Sequence, residues 1–231
     1  DTMTERILYQ FPISHYCEKS RWQLDHKGLA YRTRNLLPGP HRLRTQWMAR
    51  INTLPVLRDG QRVVGDSTKI AYYLEKHYPE RSLIPTDAES RARVIELEQQ
   101  LDRVAVHVRR WLYGQIIDRP EVMDAMLDPY RLPSPVQKVL APVTREGVRR
   151  LYRIEPKAVA HSGQRLEEGL ELVEETLRRG NGRSLVGERL TLADITAAGL
   201  LGAMALVTLL LKTVLEWRQS SKLNAAEETL T

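Results

Sequence analysis

Apolar and polar positions change rhythm near residue 80. Before that point, short β-rich runs alternate with helical stretches. Arg6–Phe11 (RILYQF), closed by Pro12, predicts a strand. Cys17–Lys27 carries Trp22 and Leu24 and stops at Gly28, the pattern of a helix with a C-terminal glycine. Tyr31–Leu37 predicts a second strand ended by Pro38-Gly39-Pro40, and a short helix follows over Arg42–Arg50. Pro55–Arg58 and Gln61–Val64 predict two strands joined by a tight Asp59-Gly60 turn. Ser67–His77 places Ile70, Tyr73 and Leu74 on one helical face. The order is βαβ, then α, then ββα, and Pro79–Pro85 is turn-rich.

Beyond it every periodic signal is helical. Thr86 and Glu89 form a capping box, and Val94, Leu97, Leu101, Val104, Val108, Trp111 and Leu112 recur at helical spacing. Pro156 opens another helix, whose stripe of Leu166, Leu170, Val173 and Leu177 ends at Gly180. Asp118–Pro142, rich in proline, carries no period that assigns it. Thr191 and Asp194 make a second capping box, with Leu190 and Ile195 as its hydrophobic staple. From Ile195 to Leu211 there are 17 residues without a charge. At 1.5 Å per residue they span roughly 26 Å, short of a ~30 Å hydrocarbon core, which favours a buried core helix over a membrane anchor. The polar tail Lys212–Thr231 fits either. The chain therefore divides into an α+β unit over 1–80, a linker over 81–87 and an all-helical unit over 88–231.

Composition narrows the classes. The 231 residues are 42% hydrophobic and 28% charged, a globular balance that excludes disordered, collagen-like and polytopic membrane chains. One cysteine, Cys17, excludes an internal disulfide, and with six scattered histidines it leaves no zinc-site pattern; no metal is expected. Met3–Pro12 lacks the apolar core of a secretory signal, so a reducing cytoplasm is the expected compartment. The net charge of +6 resides wholly in residues 1–85, which hold 14 Lys/Arg and 8 Asp/Glu. No acidic residue falls between His26 and Arg58. Such a field suits an anionic ligand or an ordinary solvated face; without interleaved aromatics or a recognisable module, nucleic acid is not the expected partner.

Four motifs resemble those of cytosolic glutathione transferases, in that family's order. Tyr9–Arg21 (YQFPISHYCEKSR) is similar to the first strand and helix, and Asn52–Leu57 (NTLPVL) to the strand that begins at a cis-proline. Gly65-Asp66-Ser67 is similar to the acidic-Ser motif at the third helix, and Leu190–Ile195 (LTLADI) to the capping box of the buried C-domain helix. The Ser-His-Tyr-Cys-Glu-Lys wording is closest to bacterial, notably cyanobacterial chi-like, members. The resemblance implies a thioredoxin-like N-terminal domain, an all-helical C-terminal domain, and glutathione as co-substrate held mainly by the former.

On that resemblance, Leu54 and Pro55 meet the cysteinyl backbone of glutathione. Asp66 and Ser67 hold its γ-glutamyl end, an ammonium and a carboxylate at a helix N-terminus. Either residue also serves as a plain helix cap. His41, with Arg42 and Arg44, is placed to meet the glycyl carboxylate. Ser14 falls where serine-type members carry the hydroxyl that stabilises the thiolate; Tyr16 is the rival, and Tyr9 a third candidate. Cys17 keeps the second position of a Cys-x-x-Cys spacing whose first is Ser14. Buried, it is a small hydrophobe; exposed, beside Lys19 and Arg21, it would form mixed disulfides.

Three functions remain open on this reading: conjugation of glutathione to a small hydrophobic electrophile, thiol-disulfide reduction through Cys17, and glutathione binding without turnover. A homodimer is expected by resemblance. Trp111, Tyr113 and Tyr130 line either the co-substrate pocket or the core. One departure stands out: Met204–Leu215 stays apolar and no proline follows, where the family continues with short Pro-, Trp- and Tyr-rich helices.

Overall fold

The computed structural model describes residues 5–119, 122, 126–180, 182–199 and 202. Four strands form one mixed sheet: β1 (Arg6–Gln10), β2 (Arg32–Asn35), β3 (Val56–Asp59) and β4 (Arg62–Gly65), in spatial order β2-β1-β3-β4. β1 runs parallel to β2 and antiparallel to β3, with Tyr9 opposite both Arg34 and Val56. The β1–β2 crossover is helix α1 (His15–His26); α2 (His41–Ala49) precedes β3, and α3 (Ser67–His77) follows β4.

Period-two alternation divides the apolar residues between the sheet's faces. Leu8 and Leu57 pack with Leu24 of α1 and with Ile70 and Leu74 of α3. Ile7, Tyr9 and Val56, one residue out of phase, pack with Met48 and Ala49 of α2 and with Ile51. β2 is exposed at all four positions, so its Arg-Thr-Arg-Asn sequence is tolerated as a charged edge.

The remainder is helical: α4 (Ala88–Ile116), a 3₁₀ turn at Asp128–Tyr130, α5 (Ser134–Leu151), α6 (Pro156–Arg179), and α7 over residues 192–199. α4 begins one residue later than the capping box placed it. Asp87, not Thr86, is the N-cap, and its carboxylate accepts the Ser90 amide at 2.8 Å. The proline-bearing segment differs more: α5 runs through Pro142, where the pattern assigned nothing. α5 buries only Val148, so most of its face tolerates the residues that hid it. α4 and α6 approach closely because Gly169 has no side chain; a Cβ there would lie 2.6 Å from Val104 Cγ1.

The two halves share a core. Ala71 of α3 packs with Leu97 and Leu101 of α4, Val173 of α6 and Leu192, Ala193 and Ile195 of α7, with Trp22 of α1 against the cluster. α7 enters it through the Thr191–Asp194 box. Asp194 accepts the Thr191 amide at 2.8 Å, the Thr191 hydroxyl at 2.6 Å and the Leu185 amide at 2.7 Å, while Leu192 N–H donates to the Leu83 carbonyl. Leu190 stays 49% exposed, so the box rather than the staple holds this end. Replacing Asp194 by alanine leaves two amides and a hydroxyl without their charged acceptor. We expect a loss of about 2–3 kcal/mol in urea unfolding, with Asp194→Asn losing less. The uncharged run beyond residue 202, with the tail to Thr231, lies outside the described residues; no described helix is long and apolar enough to cross a membrane.

Candidate functional site

Strand register brings the predicted site residues to one end of the sheet. β1 ends at Gln10, β3 begins at Val56, and Val56 pairs with Gly65, the last residue of β4. Ser14, Leu54-Pro55 and Asp66-Ser67 therefore emerge at the same edge.

Ser14 is the N-cap of α1, in extended conformation, and its carbonyl accepts the Glu18 amide at 2.8 Å. Its hydroxyl makes no capping bond to the helix and lies within hydrogen-bond reach of the Cys17 thiol. Arg21 fixes the loop, donating to the Pro12 carbonyl at 3.1 Å and to Gln10 while pairing with Glu18. Arg21 thus serves as an anchor of this loop.

The Leu54-Pro55 peptide is cis, and the Pro55 carbonyl accepts the Asp66 amide at 3.1 Å. Asp66 sits at φ 79°, a left-handed conformation that costs a non-glycine residue on the order of 1–3 kcal/mol. Its Oδ1 accepts the Thr68 and Lys69 amides, at 3.0 and 3.1 Å. The Ser67 amide has no partner among the described residues, and the Ser67 side chain is buried. A helix N-terminus with one uncommitted N–H beside an exposed carboxylate can take a carboxylate and an ammonium from one ligand. Gly65 just before it leaves room for Ile51, whose Cδ1 would lie 2.3 Å from a Cβ there and would have to move.

The other candidates separate. Cys17 is fully buried with Tyr9, Leu54 and Val56. Burial pushes its thiol up, against smaller opposing effects from the Phe11 backbone, the Ser14 hydroxyl and Arg21. An exchanging thiol needs the opposite, an exposed and stabilised thiolate. Tyr9 is 3% exposed beneath the Arg44 guanidinium, 5.2 Å from its ring centre. Tyr16 points away toward α4, its hydroxyl donating to the Asp102 carbonyl at 3.5 Å. Burial, with the Asp102 carboxylate adding to it, raises that phenol far above its usual range. His41 lies edge-on to Phe11 at 4.7 Å, and its Nδ1 accepts the Gly39 amide. Burial and then Arg42 lower its pKa, so it offers a neutral ring where a cation was expected. Tyr113 belongs to a core cluster, and Trp111 packs against another. Tyr130 stands within electrostatic reach of Cys17, and burial takes its phenol to about 12.

A buried ionic group behind this edge went unread in the sequence. Lys19 Nζ contacts Glu98 Oε1 at 2.6 Å, Asp102 Oδ1 at 3.3 Å and Thr68 Oγ1 at 3.3 Å, and the Thr68 hydroxyl donates to Glu98 at 2.7 Å. α1, α3 and α4 thus meet at one ammonium. The available signal was Glu98, a charge inside the apolar stripe between Leu97 and Leu101. His15 lies alongside, held neutral with a pKa of about 3, by burial first and the Arg109 charge second. His15, Lys19 and Asp102 line a cavity of about 10 Å³, room for about one water. A wider hollow of about 350 Å³ lies at the opposite end of the sheet, between Asp59, Arg62, Tyr73 and His77, away from all these residues.

Comparison with known proteins agrees with this arrangement. Residues 8–82 match the model of the glutathione S-transferase N-terminal domain, and residues 156–225 that of its C-terminal domain. Glutathione S-transferase 1 of Dianthus caryophyllus is 38% identical over 90 residues, 37% of this chain and 40% of that protein, so the match spans well under two thirds of the relative. A glutathione transferase structure from Phanerochaete chrysosporium is 25% identical with a TM-score of 0.61, over 89% of this chain and 86% of that one. One from Methylobacterium radiotolerans, in complex with glutathione sulfonate, is 21% identical with a TM-score of 0.62, over 87% and 80%. With both domains matched in order over more than half of its length, on the sheet and helices just described, the chain belongs to the glutathione transferase family.

Proposed function

We propose that this protein binds glutathione across the sheet edge, ionises its thiol beside Ser14, and transfers the sulfur to a hydrophobic electrophile held against α4 and the 128–130 turn. The observation that carries the reading is the Ser14 hydroxyl at the N-terminus of α1, not spent on capping the helix, on the same edge as the Ser67 amide, which has no partner among the described residues. The γ-glutamyl carboxylate takes that amide and the Ser67 hydroxyl, its ammonium takes Asp66, and the cysteinyl backbone pairs with Leu54.

A free thiol of this kind titrates near 8.5. A hydroxyl donor and a helix N-terminus both favour the anion; hydrogen bonds to charged groups are worth about 1.5–3 kcal/mol, or roughly one to two pKa units. The proton passes to solvent, the thiolate forms the carbon–sulfur bond, and a displaced group leaves with its bonding pair. Proximity and thiolate stabilisation supply the rate. A homodimer is part of this proposal by family.

The burial of Cys17 disfavours the reductase reading. The test joins a glutathione titration and a 1-chloro-2,4-dinitrobenzene turnover assay to thiol labelling. Saturable binding and turnover are expected, with Cys17 unlabelled by oxidised glutathione until denaturant is added. Native labelling of Cys17, with no conjugation, reverses the assignment. Tight binding without turnover identifies a binding protein.

A further inference from the structure

Arg109, on α4, is not used by the reading above and is placed unusually for a cation. Its guanidinium lies between two phenol rings, 5.1 Å from the centre of Tyr16 and 5.1 Å from that of Tyr152. Nη1 donates to the Tyr152 hydroxyl at 3.1 Å. Nε is shut off from water and has no hydrogen-bond partner among the described residues. Among the described residues Arg109 makes no ion pair, whereas its buried neighbour Lys19 has two carboxylates. The residue as a whole is only half-buried.

Position adds to this. Tyr16 is two residues from Ser14, and the Arg109 charge reaches His15, Tyr16 and Cys17 in the first turn of α1. Tyr130 stands within electrostatic reach of Cys17 in the same turn. An unpaired guanidinium held rigid by aromatic faces, beside the loop that presents Ser14, is a fork for an anion, because its planar donors match a carboxylate edge to edge. Stacking fixes its orientation in advance, which lowers the ordering cost of binding.

Resting on the glutathione transferase reading, we infer that Arg109 is the anchor for an anionic co-substrate: the electrophile carries a carboxylate or comparable oxyanion that pairs with this guanidinium while its reactive carbon faces the thiolate at Ser14. Tyr130, near the same turn, takes the apolar body of that electrophile. The ligand class is therefore an acidic aromatic or enoic electrophile rather than a neutral hydrocarbon one.

The test compares 4-chloro-3-nitrobenzoate with its methyl ester. In both, the thiolate forms the new carbon–sulfur bond at C4 and chloride leaves with the bonding pair, so only the remote charge differs. The readout is the carboxylate-to-ester ratio of kcat/KM in wild type, Arg109→Met and Arg109→Lys, with glutathione saturating. The ratio is expected to fall about 10- to 100-fold in Arg109→Met and to recover substantially in Arg109→Lys. A purely structural clamp would change both substrates together and leave the ratio where it was. An unchanged ratio, or a lysine variant no better than the methionine one, overturns the inference.

Calorimetric titration with the two preformed conjugates, S-(4-carboxy-2-nitrophenyl)glutathione and its methyl ester, needs no turnover and no further variant. If wild type turns over neither electrophile nor 1-chloro-2,4-dinitrobenzene, the conjugation reading fails, while tighter binding of the carboxylate conjugate, lost in Arg109→Met, still supports the anchor. Equal affinities for the two conjugates overturn it. Binding of neither overturns both.

Discussion

Replacing Lys19 by methionine will remove about 3–5 kcal/mol of folding free energy, the scale found when one partner of a buried ion pair is deleted. The ammonium side chain is 3% exposed and Glu98 1%, so water cannot compensate the carboxylate that remains. Asp102, whose carboxyl is already raised by burial with Lys19 opposing the shift, loses that opposition. Methionine keeps the stem's length and bulk, so the loss reports on charge rather than on a cavity. The double variant Lys19→Met/Glu98→Gln should recover a measurable part of it, because the more deeply buried of the two uncompensated carboxylates is gone. Urea unfolding of the four corners of this cycle checks the expectation; a single-variant loss under about 1 kcal/mol would mean the pair is solvated and unimportant. Glutathione affinity should fall as well. Thr68 touches both Lys19 and Glu98 and is adjacent to Ser67, so the network sets where the third helix begins relative to the first.

Ser14→Ala is expected to lower kcat/KM at pH 7 by about 100-fold. Returning the thiol from about 7 to 8.5 cuts the ionised fraction roughly 15-fold. Loss of a preorganised donor to the developing charge accounts for the remainder. The sign with pH follows: the fold advantage in thiolate is full below the lower of the two pKa values, shrinks between them and vanishes above the higher one, so the variant should gain on wild type toward about pH 9. Stability should hardly change, because the Ser14 side chain makes no capping bond that alanine would forfeit. A deficit that is constant with pH would assign Ser14 to orientation alone.

Sequence pattern located the sheet edge well because each part of it is written locally. A proline after a β-rich run, an Asp-Gly turn and an acidic-Ser pair at a helix start each fix backbone within a few residues, and Ser67–His77 emerges with the expected ends. The α5 helix was hidden because Pro142 breaks the local rule inside it, although Val136, Val139, Leu140 and Val143 recur at helical spacing; Val139 and Val143 stay 68% and 65% exposed. Ser14, Tyr16 and Cys17 could not be ranked from spacing. Their difference is one of direction: the hydroxyl of Ser14 stands at the helix start without capping it, Tyr16 turns toward α4, and Cys17 turns into the sheet. Lys19 with Glu98, 79 residues apart, and Arg109 between Tyr16 and Tyr152 depend on packing between the two halves, which no local period encodes.

The thiol of bound glutathione decides the matter most directly. Ultraviolet difference titration of the binary complex, following thiolate absorbance against pH, should give an apparent pKa one to two units below that of free glutathione, returning toward the free value in Ser14→Ala. A bound thiol that titrates where the free one does, in a complex shown by calorimetry to be saturated, contradicts the account.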